Sequence, residues 1–359
     1  MGQYTNYDNL FKNYTFLEPS AFNVLSETEQ DKYLYDLISE IRKINELPIY
    51  HYDHDGIIKE IQKCFNCDVE LQGNVLNLRQ NAGINLCNFL FPNLHKVDCR
   101  NQKNNSMYDR FFDDRKLYRT LKFISKNEKL NTPYRIYSAS RLIDGAVATN
   151  FAPMRAKVIY EKYCKDGAVI HDYCCGFGGR MLGALTSHNN YKYIGTDPCT
   201  ETYNSLIKLG NYIEEVSGRK DSFDIRKTGS QYKVFEDGIA DFSFSSPPYF
   251  MFERYSDEET QCYNEFPTMD EWFDGFVVPT IKNSIAYLKH DGLYAVNIGD
   301  FKISGKPYYI VDRWLDICNK LGMKEIETIT FKIPNRRGDG HKSLTKEDSI
   351  YVFEKADAK

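Results

Sequence analysis

The second half of the chain alternates between short apolar runs and longer amphipathic stretches. In the amphipathic stretches, such as 200–216 and 271–288, apolar side chains recur at the spacing of one helix face. The apolar runs resemble buried strands and span 168–175, 191–198, 222–228, 239–246, 293–298, 326–333 and 349–354. Strands that alternate with helices predict an α/β fold with a mostly parallel, seven-stranded sheet. The last two strands have no helix between them, which predicts a C-terminal antiparallel hairpin.

The first part of the chain has a helical pattern. Ser26 and Glu29 form a capping box ahead of apolar residues that share one helix face (Tyr33, Leu34, Leu37, Ile38 and Ile41). Further helical patterns follow near 56–65 and 110–126, and no alternation is strong enough to predict a sheet. We therefore expect a mainly helical accessory domain over 1–145 and an α/β domain over 146–359.

Composition adds limits on the class of protein. The chain has 359 residues, of which 42% are hydrophobic, and a net charge of −4. No run approaches the roughly 20 apolar residues of a membrane span, and the first residues do not resemble a secretory signal. The ten cysteines are expected to be reduced thiols. These features predict a cytoplasmic protein without a membrane partner, and they leave the oligomeric state open.

One pair of cysteines has the spacing of metal ligands. Cys64 and Cys67 are separated by two residues, and Cys87, His95 and Cys99 follow. A structural zinc site normally shows a second tight pair, and the sequence has none. The prediction is therefore buried thiols and no metal, with zinc as the alternative.

A glycine-rich turn follows the first strand of the α/β part and contains Asp172, Cys174, Gly176 and Gly178. Open α/β sheets bind ligands at the carboxyl ends of their strands, where glycines let the backbone approach the ligand. The next strand ends at Asp197, where a carboxylate can accept both hydroxyls of a ribose. The pattern predicts a nucleoside-binding site for either a nicotinamide cofactor or S-adenosylmethionine. The structural alternative for Asp197 is a helix N-cap.

The fourth strand leads into the tetrapeptide Ser246-Pro247-Pro248-Tyr249. The two prolines fix the backbone and lack N–H donors, so the turn offers carbonyl groups without competing donors. The tetrapeptide and the glycine-rich turn together resemble the two signature motifs of the S-adenosylmethionine-dependent DNA methyltransferases that modify exocyclic amino groups (N4 of cytosine or N6 of adenine). This resemblance covers about 150–357 and implies the class I methyltransferase fold, which is Rossmann-like.

The resemblance implies roles for the residues of the tetrapeptide. The Ser246 side chain and the Pro247 carbonyl would accept hydrogen bonds from the target amino group, in a turn that Pro248 helps to fix. Tyr249 would stack on a base that has been flipped out of the duplex. Transfer would be a direct in-line displacement that needs no metal.

The resemblance also implies how the cofactor is held. S-adenosylmethionine would bind at 172–178, through Asp172, Cys174, Gly176 and Gly178, and at Asp197. A segment that contains Asn150 and Phe151 would close over its methionine end. For Asn150 and Phe151 the alternative is an ordinary lead-in to a helix.

The tetrapeptide also bears on the substrate. Serine rather than aspartate at its first position favours N4 of cytosine slightly over N6 of adenine. Enzymes with similar turns also act on RNA, for example on guanine N2, and on glutamine side-chain amides. A catalytically silent nucleic-acid-binding subunit is the alternative outside the enzymes.

Two basic segments are candidates for contact with a nucleic acid. From Lys96 to Arg141 there are 12 Lys and Arg against 5 Asp and Glu, mixed with aromatic residues. The candidate cations of this stretch are Arg110, Arg115, Lys116 and Arg119. The candidate cations of a loop between the last two strands are Arg336, Arg337 and Lys342. We expect DNA as the partner, with RNA as the open alternative, and a solvated charged surface as the structural alternative for both segments.

Overall fold

The computed structural model describes residues 6–70, 75–76, 81–99, 103–143, 147–331 and 349–356. The strands of these residues are β1 (Val75–Leu76), β2 (Asp98–Cys99), β3 (Val169–Asp172), β4 (Lys192–Thr196), β5 (Phe223–Arg226), β6 (Ala240–Ser245), β7 (Glu253–Arg254), β8 (Leu288–Ile298), β9 (Phe301–Ile303), β10 (Lys306–Tyr308), β11 (Met323–Phe331) and β12 (Ser349–Lys355). Eight of them form the main sheet in the order β1-β11-β12-β8-β6-β3-β4-β5.

The sheet has the topology of a class I methyltransferase. Strands β8, β6, β3, β4 and β5 run parallel, and β12 is antiparallel to both of its neighbours, β8 and β11. All seven predicted strands are present, and the C-terminal antiparallel hairpin is confirmed. The structure adds an eighth strand, because β1 from the N-terminal region pairs in parallel with β11 at the edge of the sheet.

Helices cover both the N-terminal region and the connections of the sheet. In the N-terminal region they are α1 (Asp8–Asn13), α2 (Pro19–Asn23), α3 (Glu27–Ile44), α4 (His54–Phe65), α5 (Ile84–Leu90), a 3-10 helix (Pro92–Lys96), α6 (Met107–Phe112), α7 (Asp114–Asn127) and α8 (Pro133–Ile143). After these come α9 (Pro153–Tyr163), α10 (Gly179–Leu185), α11 (Thr200–Ser217), α12 (Cys262–Glu265), α13 (Met269–Trp272), a π-helical turn (Phe273–Val277), α14 (Val278–Tyr287) and α15 (Val311–Lys320). None of the helices within the described ranges is long and apolar enough to span a membrane.

The capping box at the start of α3 forms as the sequence predicts. Ser26 Oγ accepts from the backbone N–H of Glu29, and the Glu29 carboxylate accepts from the backbone N–H of Ser26 (2.9 Å). Four residues of the apolar stripe of this helix are buried (Leu34, Leu37, Ile38 and Ile41), and Tyr33 is half-buried. Capping and an apolar face together explain why 27–44 is the longest helix of the N-terminal region.

The N-terminal region contributes to two hydrophobic clusters. Side chains from 57–99 pack in one cluster with the central strands, α9, α10 and α11. Side chains from 7–44 pack in another cluster with those from 111–139. Strand β2 also pairs with β7, which follows the proline-rich turn. The first cluster therefore joins part of the N-terminal region to the main sheet.

Candidate functional site

Loops that follow β3, β4, β5, β6 and β8 meet at the carboxyl edge of the parallel strands. The register brings these ends together: Asp172 of β3 lies opposite Gly195 of β4, and Ser245 of β6 lies opposite Val296 of β8. In open α/β sheets this edge is the place where ligands bind. The glycine-rich turn, Asp197 and the tetrapeptide all lie here.

Two glycines of the turn are required by close packing. Gly178 has a φ of +72°, and a Cβ there would lie 2.6 Å from the ring of Phe91. A Cβ on Gly179 would lie 1.9 Å from the carbonyl oxygen of Phe151. A side chain at either position would push the turn away from these neighbours, so only glycine keeps α10 against the segment that precedes α9. Gly176, with a φ of +56°, has no atom closer than 3.8 Å to such a Cβ.

Asp172 is bound by other groups of the protein. Its fully buried carboxylate accepts from Arg180 Nε (2.7 Å), from the Tyr193 hydroxyl and from the Cys174 backbone N–H (3.2 Å). Burial disfavours the charge of Arg180, but the adjacent Asp172 raises the pKa of the guanidinium above its usual value. In this structure Asp172 ties β3, β4 and α10 together below the turn, and its role toward a cofactor stays a prediction.

Cys174 connects three loops of the edge. Its backbone N–H also donates to Ser245 Oγ (3.1 Å), the last residue of β6, and its Sγ lies 3.8 Å from Ser230 Oγ in the loop after β5. Arg180 Nη2 donates to the same Ser245 Oγ (3.3 Å). The glycine-rich turn and the strand that carries the tetrapeptide are therefore hydrogen-bonded to each other.

Asp197 is nearly buried at the end of β4. One of its carboxylate oxygens accepts from the Gly176 backbone N–H (2.9 Å) and the other accepts from the Cys199 backbone N–H (3.0 Å). Burial raises the pKa of Asp197 to about 7, although these two hydrogen bonds oppose the shift. Each oxygen can accept a second hydrogen bond. Two ribose hydroxyls would supply donors that this carboxylate lacks, so the residues present fit the nucleoside part of S-adenosylmethionine.

Asn150 and Phe151 lie directly against the glycine-rich turn. Asn150 Nδ2 donates to the Phe177 carbonyl (2.6 Å), and the Phe151 ring packs edge-on against Phe244 of β6 (centroids 5.7 Å apart). The Arg180 guanidinium lies 5.7 Å from the centroid of the Phe151 ring. The structure thus places both residues beside the turn, and their role toward a cofactor stays a prediction.

The tetrapeptide begins directly after β6. Ser246 is half-buried, and its hydroxyl has no hydrogen-bond partner among the described residues. Pro247 is buried and Pro248 is half-buried. Phe250, the next residue after the tetrapeptide, has a φ of +49°, which is unfavourable for a bulky side chain. Strained residues of this kind cluster at functional sites.

Tyr249 is held by the end of β8 and by a hairpin that sequence analysis missed. Its hydroxyl donates to the Asn297 carbonyl (3.4 Å), and its ring stacks on Phe301 of β9 with centroids 6.0 Å apart. The signal for this hairpin is present in the sequence, since Phe301 to Tyr308 contains an alternating pattern interrupted by Ser304-Gly305.

The segment after the tetrapeptide folds back toward Asp197. Glu258 accepts from the backbone N–H and the hydroxyl of Thr200 (both 2.9 Å), and so caps the start of α11. Tyr255 of this segment packs against Phe177 of the glycine-rich turn, with ring centroids 6.0 Å apart. The segment after the tetrapeptide is thus packed on the two loops of the predicted cofactor site.

The predicted nucleic-acid-binding cations fall into three groups. The prediction for Arg110 is wrong, because its side chain is buried (1% exposed) and donates to the carbonyls of Asn105 and Ser140. Arg115 and Arg119 are exposed on α7, whereas Lys116 is half-buried and donates to the Asn104 carbonyl (2.9 Å). The other three candidates lie outside the described residues (Arg336, Arg337 and Lys342).

Cys64, Cys87 and Cys99 are buried, and Cys67 is half-buried. In the described parts of the chain, no group of three or more His, Cys, Asp or Glu side chains could hold a metal ion. Burial raises the pKa of the Cys64 thiol to about 12, which favours the protonated form. Lys157 Nζ donates to the Cys64 and Cys67 carbonyls (3.1 and 2.8 Å), and so stabilises the end of α4.

Comparisons with known proteins give a structural similarity alone. No family model and no curated protein matches the chain. A TehB-like S-adenosylmethionine-dependent methyltransferase from Corynebacterium glutamicum is 17% identical with a TM-score of 0.34, and the match covers 56% of this chain and 86% of that one. A methyltransferase from Pyrococcus furiosus is 16% identical (TM-score 0.38, 57% and 84% covered). A geranyl diphosphate C-methyltransferase from Streptomyces coelicolor is 12% identical (TM-score 0.39, 56% and 80% covered). These values are low, and the fold assignment rests on the strand order.

Proposed function

We propose that the protein transfers a methyl group from S-adenosylmethionine to an exocyclic amino group of a nucleic-acid base. One observation carries the proposal. The glycine-rich turn and the strand that ends in Ser246-Pro247-Pro248-Tyr249 are joined by the hydrogen bond from Cys174 N–H to Ser245 Oγ (3.1 Å). A cofactor held by the turn and an amino group held by the tetrapeptide would therefore be neighbours.

The glycine-rich turn, Asp197 and the segment with Asn150 and Phe151 form the first half of the site, which would hold and orient the cofactor. S-adenosylmethionine supplies a methyl group on a positively charged sulfur. Asp197 would accept the two ribose hydroxyls, and the open space at Gly176 leaves room for the backbone to approach the ligand. Asn150 and Phe151 would cover the methionine end from the side of α9.

The residues of the second half would activate the amino group. An exocyclic amino nitrogen is a poor nucleophile because its lone pair is delocalised into the base. Hydrogen bonds from its two N–H groups to the Ser246 hydroxyl and the Pro247 carbonyl would favour a pyramidal nitrogen, whose lone pair is localised. Such acceptors work by orientation and electrostatics. The nitrogen lone pair would then form the new N–C bond with the methyl carbon that S-adenosylmethionine supplies. The sulfur would leave with the electron pair of the C–S bond as the neutral thioether S-adenosylhomocysteine, and the methylated nitrogen would release one proton to solvent.

The proposed substrate is DNA, with N4 of cytosine slightly favoured over N6 of adenine. The half-buried Ser246 hydroxyl has no partner among the described groups, so it is available to accept from an amino group. An RNA base and a glutamine side-chain amide would present a similar N–H pair to the same turn. They stay as the second choice, because the tetrapeptide and the glycine-rich turn together resemble the motifs of DNA amino-methyltransferases.

The proposal is tested by identifying the methylated product. The protein is incubated with radiolabelled S-adenosylmethionine and DNA in one sample, and with radiolabelled S-adenosylmethionine and RNA in another. Each nucleic acid is then digested to nucleosides. Label in N4-methylcytosine or N6-methyladenine is the expected result. Label in RNA alone would replace the DNA substrate by the second choice. Absence of label from both, with cofactor binding demonstrated by dialysis, would contradict methyl transfer to nucleic acids.

A further inference from the structure

A short β-hairpin projects from the sheet edge beside the tetrapeptide. It consists of β9 and β10, which pair antiparallel around Ser304 and Gly305, both with positive φ (+50° and +81°). Positive φ at both turn residues is typical of the type I′ turn, whose twist matches that of the two strands it connects. Asp300 anchors its base, since Oδ1 accepts from the backbone N–H groups of Ile310 (2.9 Å) and Val311 (3.1 Å).

The inner face of the hairpin contacts the tetrapeptide. Phe301 and Ile303 are buried, and the Phe301 ring lies parallel to that of Tyr308, with centroids 5.2 Å apart. Tyr249 stacks on Phe301, and Phe250 packs against Tyr308 (6.3 Å). The hairpin is therefore positioned by the same aromatic side chains that follow Pro248.

The exposed part of the hairpin carries positive charge. Lys302 lies opposite Pro307 on the outer face, Lys306 lies opposite Ile303 at the tip, and both lysines are exposed. Neither forms an ion pair with a described carboxylate, and the Lys306 ammonium lies 5.4 Å from the centroid of the Tyr308 ring. From 301 to 309 the chain has two lysines and no acidic residue, and Tyr309 is 60% exposed.

We infer that the β9–β10 hairpin binds the sugar–phosphate backbone of a nucleic acid beside the target base. Lys302 and Lys306 would each neutralise a phosphate, and Tyr309 would contact a sugar or an adjoining base. Because the inner face of the hairpin packs on Tyr249, phosphates bound by the hairpin would place the nucleic-acid strand next to the tetrapeptide. The inference rests on the proposed function and assigns a nucleic-acid contact to residues outside the basic segments 96–141 and 336–342.

The test is a double variant with a matched control. Lys302→Ala/Lys306→Ala removes the two charges of the hairpin. Lys165→Ala/Lys192→Ala removes two exposed lysines that lie at the amino ends of β3 and β4, at the opposite edge of the sheet. Binding of fluorescein-labelled DNA and RNA to the full chain is measured by anisotropy over a range of NaCl concentrations, with and without S-adenosylhomocysteine.

The inference predicts a smaller salt dependence for the hairpin variant alone. The slope of the logarithm of the association constant against log[salt] is negative, and its magnitude should decrease by about 1 to 2. Each lost phosphate contact removes about 0.7 to 0.9 from this magnitude. In the transfer assay the same variant should raise the KM for nucleic acid and leave kcat unchanged. An unaltered slope, or an equal loss in the control variant, would overturn the inference.

The outcomes separate this inference from the proposed function. If the wild type transfers methyl groups to a nucleic acid and the hairpin variant has an unaltered slope, the proposed function is supported and the hairpin contact is contradicted. A wild type that transfers no methyl group to any nucleic acid would remove the function. The anisotropy measurement of nucleic-acid binding then tests the hairpin contact separately, because binding does not require methyl transfer.

Discussion

At the scale of single residues, the raised pKa of Asp197 makes a direct prediction for the cofactor. Ribose hydroxyls bind the charged carboxylate best, and the carboxyl group is protonated below its pKa of about 7. Affinity for S-adenosylmethionine should therefore rise with pH up to about 7, by at most about tenfold per pH unit, and level off above it. Isothermal titration calorimetry at several pH values measures this dependence.

Two variants of Asp197 serve as controls for that prediction. Asp197→Asn keeps an acceptor oxygen but does not titrate, so this part of the pH dependence should disappear. Asp197→Ala removes the acceptors and should weaken cofactor binding by more than about tenfold. A pH profile that is the same in Asp197→Asn and the wild type would contradict the assignment of this carboxylate to the ribose.

Tyr249 gives a prediction for the second half of the site. Tyr249→Ala should lower kcat/KM for methyl transfer by about ten- to a hundredfold, since stacking on a base is worth about 1 to 3 kcal/mol. Cofactor affinity should change little. Tyr249→Phe keeps the ring and removes the hydroxyl that donates to Asn297, so it should retain most of the transfer rate. Equal losses of transfer and of cofactor affinity in Tyr249→Ala would mean that the base lies elsewhere.

Arg110 and Asp172 show what the sequence cannot predict at this scale. A basic stretch indicates surface charge, yet Arg110 is buried because Asn105 and Ser140 offer it carbonyl acceptors. The glycine-rich motif indicates an acid near the cofactor, but the partners of Asp172 come from α10 and β4. Burial and pairing depend on tertiary contacts, which no local pattern contains.

At the scale of elements, the Asp172–Arg180 pair holds β3 against α10. Both side chains are almost fully buried, with exposed fractions of 0% and 5%. Arg180→Met would leave a buried charge without its main partner, so the free energy of unfolding should fall by about 3 to 5 kcal/mol. Urea denaturation followed by circular dichroism measures this. The double variant Arg180→Met/Asp172→Asn should recover part of the loss, and no loss in Arg180→Met would contradict the importance of the pair.

Most of the sheet could be predicted because its strands are apolar runs that alternate with amphipathic helical stretches. All seven predicted strands form, and so does the capped helix at 27–44. Strand β1 could not be predicted, because two residues carry no periodicity and its pairing with β11 depends on contacts distant in sequence. The β9–β10 hairpin was missed because each of its strands has three residues, although its Ser-Gly turn is visible in the sequence.

At the scale of the whole molecule, the hydrophobic cluster shared by 57–99 and the main sheet bears on the predicted division at 145. A fragment of residues 146–359 would lose buried partners that include Ile61, Leu86, Phe91 and Leu94. Each such side chain contributes about 1.5 to 3 kcal/mol when buried. We expect this fragment to unfold without cooperativity and to bind a dye for exposed apolar surface. Coexpression with 1–145 should restore a folded complex, and cooperative unfolding of the fragment alone would contradict this expectation.

The central claim is that a cofactor half and an amino-group half form one methyl-transfer site. The most direct measurement is single-turnover transfer of labelled methyl to nucleic acid by the wild type and by Ser246→Ala, with the labelled nucleoside identified. The account predicts label on an exocyclic amino group with the wild type, and a rate at least about tenfold lower for Ser246→Ala at unchanged cofactor affinity. Equal rates for the two proteins, or label on a ring carbon, would contradict it.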